Sequence, residues 1–180
     1  MDDAARHLGI SKKTLYQYFT DKAELVKAAV SQEILDKQKN FAPLSNKNFN
    51  ALEELLAYHK VQIKMIFDYK PNFIYDLKKY YPDIYNKYVS IKREKIIDSV
   101  KRNLLEGIKE GYFRADLDAD IISRITLMRI EGMIHSGVFT IHEMMSPNVF
   151  TEIFYYHVYG IVTDKGRSYF EKHKQELTIQ

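Results

Sequence analysis

The chain has no cysteine and no long apolar run. The absence of cysteine excludes disulfides, thiolate zinc sites and cysteine nucleophiles, and it accords with a reducing cytoplasm. No apolar run approaches the roughly 18 residues that a transmembrane helix needs, and the opening Met-Asp-Asp does not begin a signal peptide. We therefore expect a cytoplasmic protein with no membrane partner.

Recognisable catalytic motifs are also lacking. The stretch His142 to Ser146 reads HEMMS and begins like the helix of a zinc protease, but Ser146 stands where the second histidine ligand is required. The chain contains no Glu-x-x-His pair of the kind found in di-iron bundles, and no glycine-rich phosphate loop. We therefore expect no enzymatic activity, no catalytic residues, no metal and no cofactor.

The charge that is present is concentrated near the start of the chain. The net charge of +3 is mild, so its distribution says more than its total. Residues 6–22 contain four cationic side chains and a single acidic one. With 46% hydrophobic and 28% charged residues over 180 positions, the chain is typical of a folded globular protein, either one core or a small module with a larger body.

Helical periodicity runs through nearly the whole sequence, and no sustained alternation of the strand type occurs. The pattern predicts an all-α fold in which a small helix-turn-helix module precedes a larger helical domain. The polar tail after Thr163 is expected to fray. The longer predicted helices run from Asn50 to Tyr69, from Asp83 to Lys109, from Asp118 to Glu143 and from Asn148 to Val162.

The first residues have the spacing of a helix-turn-helix. Asp2 to Leu8 predicts a short helix, with Ala4, Ala5 and Leu8 facing inward. Gly9 then allows a tight turn, and Ser11 can cap a second short helix from Lys12 to Tyr18. These signals together predict two short helices joined by a glycine-containing turn.

The second short helix has one buried edge and one polar face. Leu15 and Phe19 lie one turn apart and form the buried edge. Lysine can neutralise phosphate or donate to guanine, glutamine can bond adenine, and tyrosine can donate to phosphate oxygens. The residues that then face outward are Lys12, Lys13, Tyr16 and Gln17.

The third helix opens with Asp21-Lys22-Ala23-Glu24, a start that resembles a capping box. This start places Lys22 at the positive end of a helix, where a phosphate can bind. The alternative is that the lysines are simply solvated on a surface helix. The glycine turn, the cap, the aromatic residues and Lys22 in register favour DNA binding.

The stretch GISKKTLYQYFTDKAEL resembles the signature of TetR-type transcriptional regulators, G-x-S-x-x-T-x-Y-x-x-F followed by K-x-x-L. The resemblance covers about residues 2–30, and it adds Thr14 and Tyr18 to the expected DNA-binding residues. The usual aromatic-histidine pair before Phe19 is Gln17-Tyr18 in this chain. The matching residues are Gly9, Ser11, Thr14, Tyr16, Phe19, Lys22 and Leu25.

The resemblance implies a homodimer that represses transcription at a palindromic double-stranded DNA operator until a small-molecule effector enters its larger domain. It divides the chain into a DNA-binding module at residues 1–30 and a regulatory, ligand-binding and dimerisation domain at residues 31–180. Members of the family have a helix that would precede Met1, so we expect the module to be incomplete at its start.

Several polar side chains interrupt the apolar faces of the long helices. His59 lies on an apolar stripe. Arg93 and Arg129 lie in predicted helices whose other inward-facing side chains are apolar. A hydrogen-bonded core histidine and arginines that snorkel to solvent are the alternatives to a ligand site. The residues of a possible pocket for an amphipathic or acidic ligand are His59, Tyr88, Arg93, Met128, Arg129 and Glu131.

The helix from Asn148 is apolar on more than one face, more than packing on one side of its own domain requires. We expect this helix and the preceding one to meet their symmetry mates in a four-helix bundle. The alternative is that the helix is central to the monomer. The predicted dimer residues are Ile134, Gly137, Val138, Ile141, Phe150, Ile153, Phe154, His157 and Ile161.

A second function remains open from the sequence, that of a helical small-molecule or lipid carrier whose DNA-reading module is vestigial. The outward face of Lys12, Lys13, Tyr16 and Gln17 distinguishes the two functions, because a carrier has no use for it.

Overall fold

The computed structural model describes residues 1–45, 48–67, 71–144 and 146–174. Within these ranges the structure is helical, and the only extended pairing is an isolated bridge between Phe113 and Val162. The predicted all-α fold is confirmed. The helices are α1 (Asp2–His7), α2 (Lys12–Tyr18), α3 (Lys22–Ser45), α4 (Ala51–Phe67), α5 (Pro71–Tyr80), α6 (Pro82–Lys109), α7 (Ala119–His135), α8 (Ile141–Met144), α9 (Pro147–Ile161) and α10 (Asp164–His173).

Two predicted boundaries were wrong. The helix predicted from Asp118 to Glu143 ends at His135, because Gly137 takes a φ of +70° that continues no right-handed helix. The tail after Thr163 does not fray over residues 164–173, where it forms α10. The Thr163 hydroxyl caps this helix by accepting the Gly166 amide at 3.1 Å, and Phe170 on its inner face is fully buried.

The main core lies between α4, α6, α9 and α10. Its most completely buried side chains are 0 or 1% exposed. A Cβ on Gly107 would lie 2.0 Å from the ring of Phe113, so glycine at this position lets the ring pack directly on α6. The central residues of this core are Leu52, Leu104, Phe113, Val158 and Phe170.

Polar contacts fix α4 against α6. The side-chain amide of Asn103 donates to the Ala51 carbonyl at 2.9 Å and to the Glu54 carboxylate at 2.7 Å. Arg102 donates to the same carboxylate at 2.6 Å. Because these bonds set the rotation of α4 about its axis, they also decide which of its residues face α9, among them His59.

A second, smaller cluster joins α3 to the body. Val30 of α3, Leu77 of α5 and Tyr88 of α6 are 3 to 6% exposed and pack together. Since α3 begins at Lys22 and runs without a break to Ser45, this cluster connects the first helices mechanically to α5 and α6.

Candidate DNA-binding face and buried polar cluster

The turn between α1 and α2 holds the two helices in a fixed arrangement. Gly9 adopts a φ of +66°, a conformation that favours glycine, and the Ile10 amide donates to the Ala5 carbonyl at 3.0 Å. The Ser11 hydroxyl accepts the Thr14 amide at 2.9 Å, so it caps α2 as predicted. Ala5 and Leu15, 4 and 2% exposed, are the buried anchors of the two helices.

One part of this prediction was wrong. Leu8, expected to face inward, is 59% exposed, because α1 ends at His7 and Leu8 belongs to the turn. Ala4 is only half-buried, as is Phe19 on the buried edge of α2.

The structure exposes all the predicted DNA-binding residues except Thr14. Thr14 is half-buried, and its hydroxyl lies 2.8 Å from that of Ser11, so in this structure it supports the cap of α2. The two tyrosines project strongly, with Tyr16 45% and Tyr18 73% exposed. The exposed residues are Lys12, Lys13, Tyr16, Gln17, Tyr18 and Lys22.

The two adjacent lysines differ in their contacts. Lys12 forms an ion pair with Asp2 of α1 at 3.0 Å, and their hydrogen bond lowers the pKa of Asp2 and raises the pKa of Lys12. Lys13 makes no ion pair with any described residue. Lys12 therefore braces α2 against α1, while Lys13 is available to an external anion.

The start of α3 carries a double cap. The Asp21 carboxylate accepts the Glu24 amide at 2.8 Å, and Glu24 reaches back to accept the amide and hydroxyl of Thr20, each at 2.7 Å. The two hydrogen bonds from Thr20 lower the pKa of Glu24. Lys22 is exposed at the first position of α3, as the sequence predicted.

His59 is the most buried of the residues predicted to line a ligand pocket. It is 1% exposed and stacks on Phe154, with ring centroids 3.8 Å apart, and more loosely on Phe150 at 5.4 Å. Neither ring nitrogen has a hydrogen-bond partner among the described residues. Burial, and secondarily the charge of Arg129, lowers the pKa of His59 to about 3, so its ring is neutral at pH 7.

Arg129 lies close to His59 and to a second histidine. Its Nε is buried without a partner in the described part of the chain, and burial lowers the pKa of Arg129 to about 10. Burial, with a smaller effect of Arg129, lowers the pKa of His157 on α9 to about 4. The sequence placed His157 in the dimer set. Its nearness to Arg129 depends on the tertiary arrangement of the chain, which no local pattern shows.

The other predicted pocket residues lie elsewhere. Arg93 and Glu131 form a two-pronged ion pair between α6 and α7, with both N···O distances 2.8 Å. Tyr88 belongs to the second cluster, and Met128 is 66% exposed. The structure therefore brings His59 and Arg129 together and joins Arg93 to Glu131 at a separate place. Tyr88 and Met128 belong to neither pair.

The predicted dimer residues are divided between core and surface. Phe154 and Ile161 are each 3% exposed and fill this chain's own core, whereas Val138 is 75% exposed. Gly137 is also exposed, and Phe150, Ile153 and His157 are half-buried. The side chains of Ile134 and Ile141 lie outside the described residues.

An apolar surface on α7 was not predicted from the sequence. Ile121, Ile125 and Met128 are 54, 44 and 66% exposed and follow the spacing of one helix face. Tyr156 of α9 is 83% exposed. The spacing of the three α7 residues was a detectable signal, but their exposure depends on which face of α7 packs on α6.

Two surface depressions lie along the outer side of α6. The larger, of about 500 Å³, includes Ser90 and Arg93, and the smaller, of about 410 Å³, includes Lys101 and Leu105. Among the described residues there is no cluster of histidine and acidic side chains suited to a metal, and no helix long and apolar enough to cross a membrane.

Comparison with known proteins agrees with this geometry. Residues 1–29 match the sequence model of bacterial regulatory proteins of the tetR family. No curated protein matches the chain.

Several solved structures share the fold. A TetR-family transcriptional regulator from Cytophaga hutchinsonii aligns with a TM-score of 0.67 at 19% identity, over 91% of this chain and 84% of that one. The ketosteroid transcriptional regulator KstR2 of Mycobacterium tuberculosis aligns with a TM-score of 0.54 at 21% identity, over 90% and 84%. A gamma-butyrolactone receptor, an ArpA-like protein, aligns with a TM-score of 0.60 at 14% identity, over 98% and 84%. Residues 1–29 thus match the tetR family of bacterial regulatory proteins, and the chain has the fold of the TetR-family transcriptional regulators.

Proposed function

We propose that the protein is a ligand-responsive transcriptional repressor that binds a palindromic operator as a homodimer and is released by a small molecule bound in its helical body. The observation that carries this proposal is the exposed polar face of α2 within the segment that matches the tetR family. A rigid cap, a glycine turn and a buried leucine hold this face outward, as a DNA-reading helix requires.

The exposed residues of α2 and of the start of α3 divide between positioning and reading. Lys22 at the positive end of α3 and the phenols of Tyr16 and Tyr18 suit phosphate oxygens, which fix the register of a protein on DNA. Gln17 and Lys13 can reach base edges in the major groove, where glutamine prefers adenine and lysine prefers guanine. The sequence preference would therefore come from Gln17 and Lys13.

A dimer doubles the number of bases that such a short helix reads. The exposed stripe of Ile121, Ile125 and Met128, with Tyr156 of α9, offers an apolar surface that a second copy would cover. We propose that this surface, with exposed residues of the predicted set such as Val138, forms the interface, since Phe154 and Ile161 already pack inside one chain.

The effector signal would travel through α3. Val30 packs against Leu77 and Tyr88, so a change in the packing of α5 and α6 would tilt α3 and move Lys22 at its start. Two proteins of the same fold are described as a ketosteroid transcriptional regulator and a gamma-butyrolactone receptor. A small-molecule effector for this chain accords with both.

The test is selection of duplexes from a random DNA pool by the purified full chain. We expect enrichment of a palindrome whose half-sites lie about one DNA turn apart. Lys13→Ala should reduce the enrichment, whereas Lys109→Ala, which removes an exposed lysine from the far end of α6, should not. If no duplex sequence is enriched even at low salt, the result would favour the carrier function instead.

A further inference from the structure

Partnerless polar groups inside the helical body are unusual for a folded protein. Both ring nitrogens of His59 and Nε of Arg129 are shielded from solvent and have no hydrogen-bond partner among the described residues. Buried polar groups are normally paired, because leaving one unpaired forfeits its hydration without replacement. A bound ligand with hydrogen-bonding atoms at this place would supply the missing partners.

We propose that His59, Arg129 and His157, here called the cationic cluster, bind a single carboxylate, and that the effector is an amphipathic monocarboxylate. This inference rests on the proposed function, because it assigns the chemical class of the molecule to which the repressor would respond.

The charge of Arg129 is not compensated by the described protein. Arg129 forms no ion pair with any described residue. Glu131, two residues further along α7, is in the two-pronged pair with Arg93, so its carboxylate is directed to the side of α6. A guanidinium presents a planar fork that matches a carboxylate in geometry as well as in charge.

The cationic cluster carries one positive charge at neutral pH. Burial and the nearby guanidinium hold the pKa values of His59 and His157 at about 3 and about 4, so both imidazoles are neutral. A neutral imidazole still donates one N–H, which a carboxylate oxygen can accept. A doubly charged phosphate would leave one negative charge buried and unpaired, so a monoanion fits the cluster better.

The surroundings of the cluster favour an apolar body on the ligand. His59 stacks on Phe154 and on Phe150, and Leu56 and Ile63, about one turn away on either side along α4, are 7 and 1% exposed. Ligand atoms beyond the carboxylate would therefore contact aromatic faces and hydrocarbon. Sites with a few polar groups in an apolar lining are typical of small-molecule pockets.

The test compares acids with their own neutral amides. The full chain is titrated with octanoate, dodecanoate and phenylacetate, each beside its primary amide, while thermal melting and binding to the selected duplex are followed. We expect the acids to raise the melting temperature and release DNA, and the amides to do neither. Arg129→Met should weaken acid binding about tenfold or more, because hydrogen bonds to a charged group are lost.

Two further variants separate recognition from packing. Arg129→Lys keeps the charge but loses the fork, so its affinity for the acid should lie between those of wild type and Arg129→Met. Arg167→Met removes an exposed arginine from α10 and should bind the acid as wild type does.

Three results would each overturn the assignment of a carboxylate: an equal response to the amides, no response of wild type to any of the acids, or unchanged affinity in Arg129→Met. Each of these three results can be obtained with a chain that still binds DNA selectively. Failure of the wild-type chain to bind any DNA selectively would overturn the proposed function instead, so the two failures are distinguishable.

Discussion

Single residues of α2 have separate tasks. Leu15 is buried and holds the helix in place, Lys12 pairs with Asp2 of α1, and Lys13, Tyr16 and Gln17 are exposed to a partner. These tasks were predictable from the sequence because helix spacing alone sets which residues share a face. The pairing of Lys12 was not, since it depends on how closely α1 approaches α2.

Lys22 and Gln17 should affect DNA binding in different ways. Lys22→Ala removes a phosphate contact, so it should weaken binding to all DNA sequences alike. It should also lower by about one the slope of log binding constant against log salt concentration. Gln17→Ala removes a base contact, so it should relax preference at particular base pairs by about 1–3 kcal/mol. Fluorescence anisotropy on the selected duplex and its single-base variants measures both. Unchanged binding in both variants would show that neither Gln17 of α2 nor Lys22 of α3 contacts DNA.

His59 and His157 should make stability depend on pH. Their folded-state pKa values, about 3 and about 4, lie below the usual 6.5, so the unfolded chain binds more protons at mildly acidic pH. Their stabilising effect is therefore fully present above about pH 6.5. It declines as the pH falls below that value, by up to about 1.4 kcal/mol per pH unit for each group.

His59→Leu removes one of these groups and two unpartnered nitrogens. We expect a shallower loss of melting temperature between about pH 6.5 and pH 5, above the range where most carboxylates titrate. At neutral pH the variant should melt no lower than wild type, since no buried nitrogen is left unpaired. A slope equal to that of wild type would show that folding does not lower the pKa of His59.

At the scale of elements, local signals decided which helices were predictable. The helices now assigned as α6 and α9 begin and end within one residue of the predicted boundaries, because their apolar spacing is sustained. Helix α4 begins within one residue of its predicted start, and its predicted end at Tyr69 lies outside the described residues. Helix α10 was not predicted. Its sequence is polar apart from a few residues, and its stability comes from Phe170 in the main core. Tertiary packing of that kind leaves little trace in a short window.

The cap of α2 is an element whose loss should be measurable. Ser11→Ala removes the oxygen that accepts the Thr14 amide, which should cost about 1 kcal/mol of helix stability. The effect on DNA binding should exceed the effect on the melting temperature, because α1 and α2 contribute little to the main core. Ser31→Ala, at an exposed position within α3, is the matched control, and equal DNA affinity in both variants would contradict this expectation.

At the scale of the whole molecule, packing alters the dimer prediction. Apolar residues on three sides of α9 fit two explanations from sequence, a dimer seam or a central helix. The burial of Phe154 and Ile161 shows that α9 packs centrally at these positions. The exposed stripe on α7 was not distinguished from a core stripe, because the sequence does not tell which face of α7 contacts α6.

Glutamate substitutions should separate the core from the interface. Met128→Glu places a charge on the exposed stripe and should give folded monomers that lose operator binding. Phe154→Glu places a charge in the main core beside His59 and should unfold the body. Leu105→Glu, at a residue 52% exposed on α6, should leave the dimer intact. Light scattering and circular dichroism measure these outcomes, and a dimeric Met128→Glu protein would place the interface elsewhere.

The central claim is that the α2 face binds DNA, and amide hydrogen exchange of the full chain with and without the selected duplex tests it most directly. We predict that DNA slows exchange in the segment from Gly9 to Glu24, and that Lys13→Ala reduces this protection at equal DNA concentration. Tight DNA binding with no added protection in that segment, or with protection confined to the helical body, would contradict the claim.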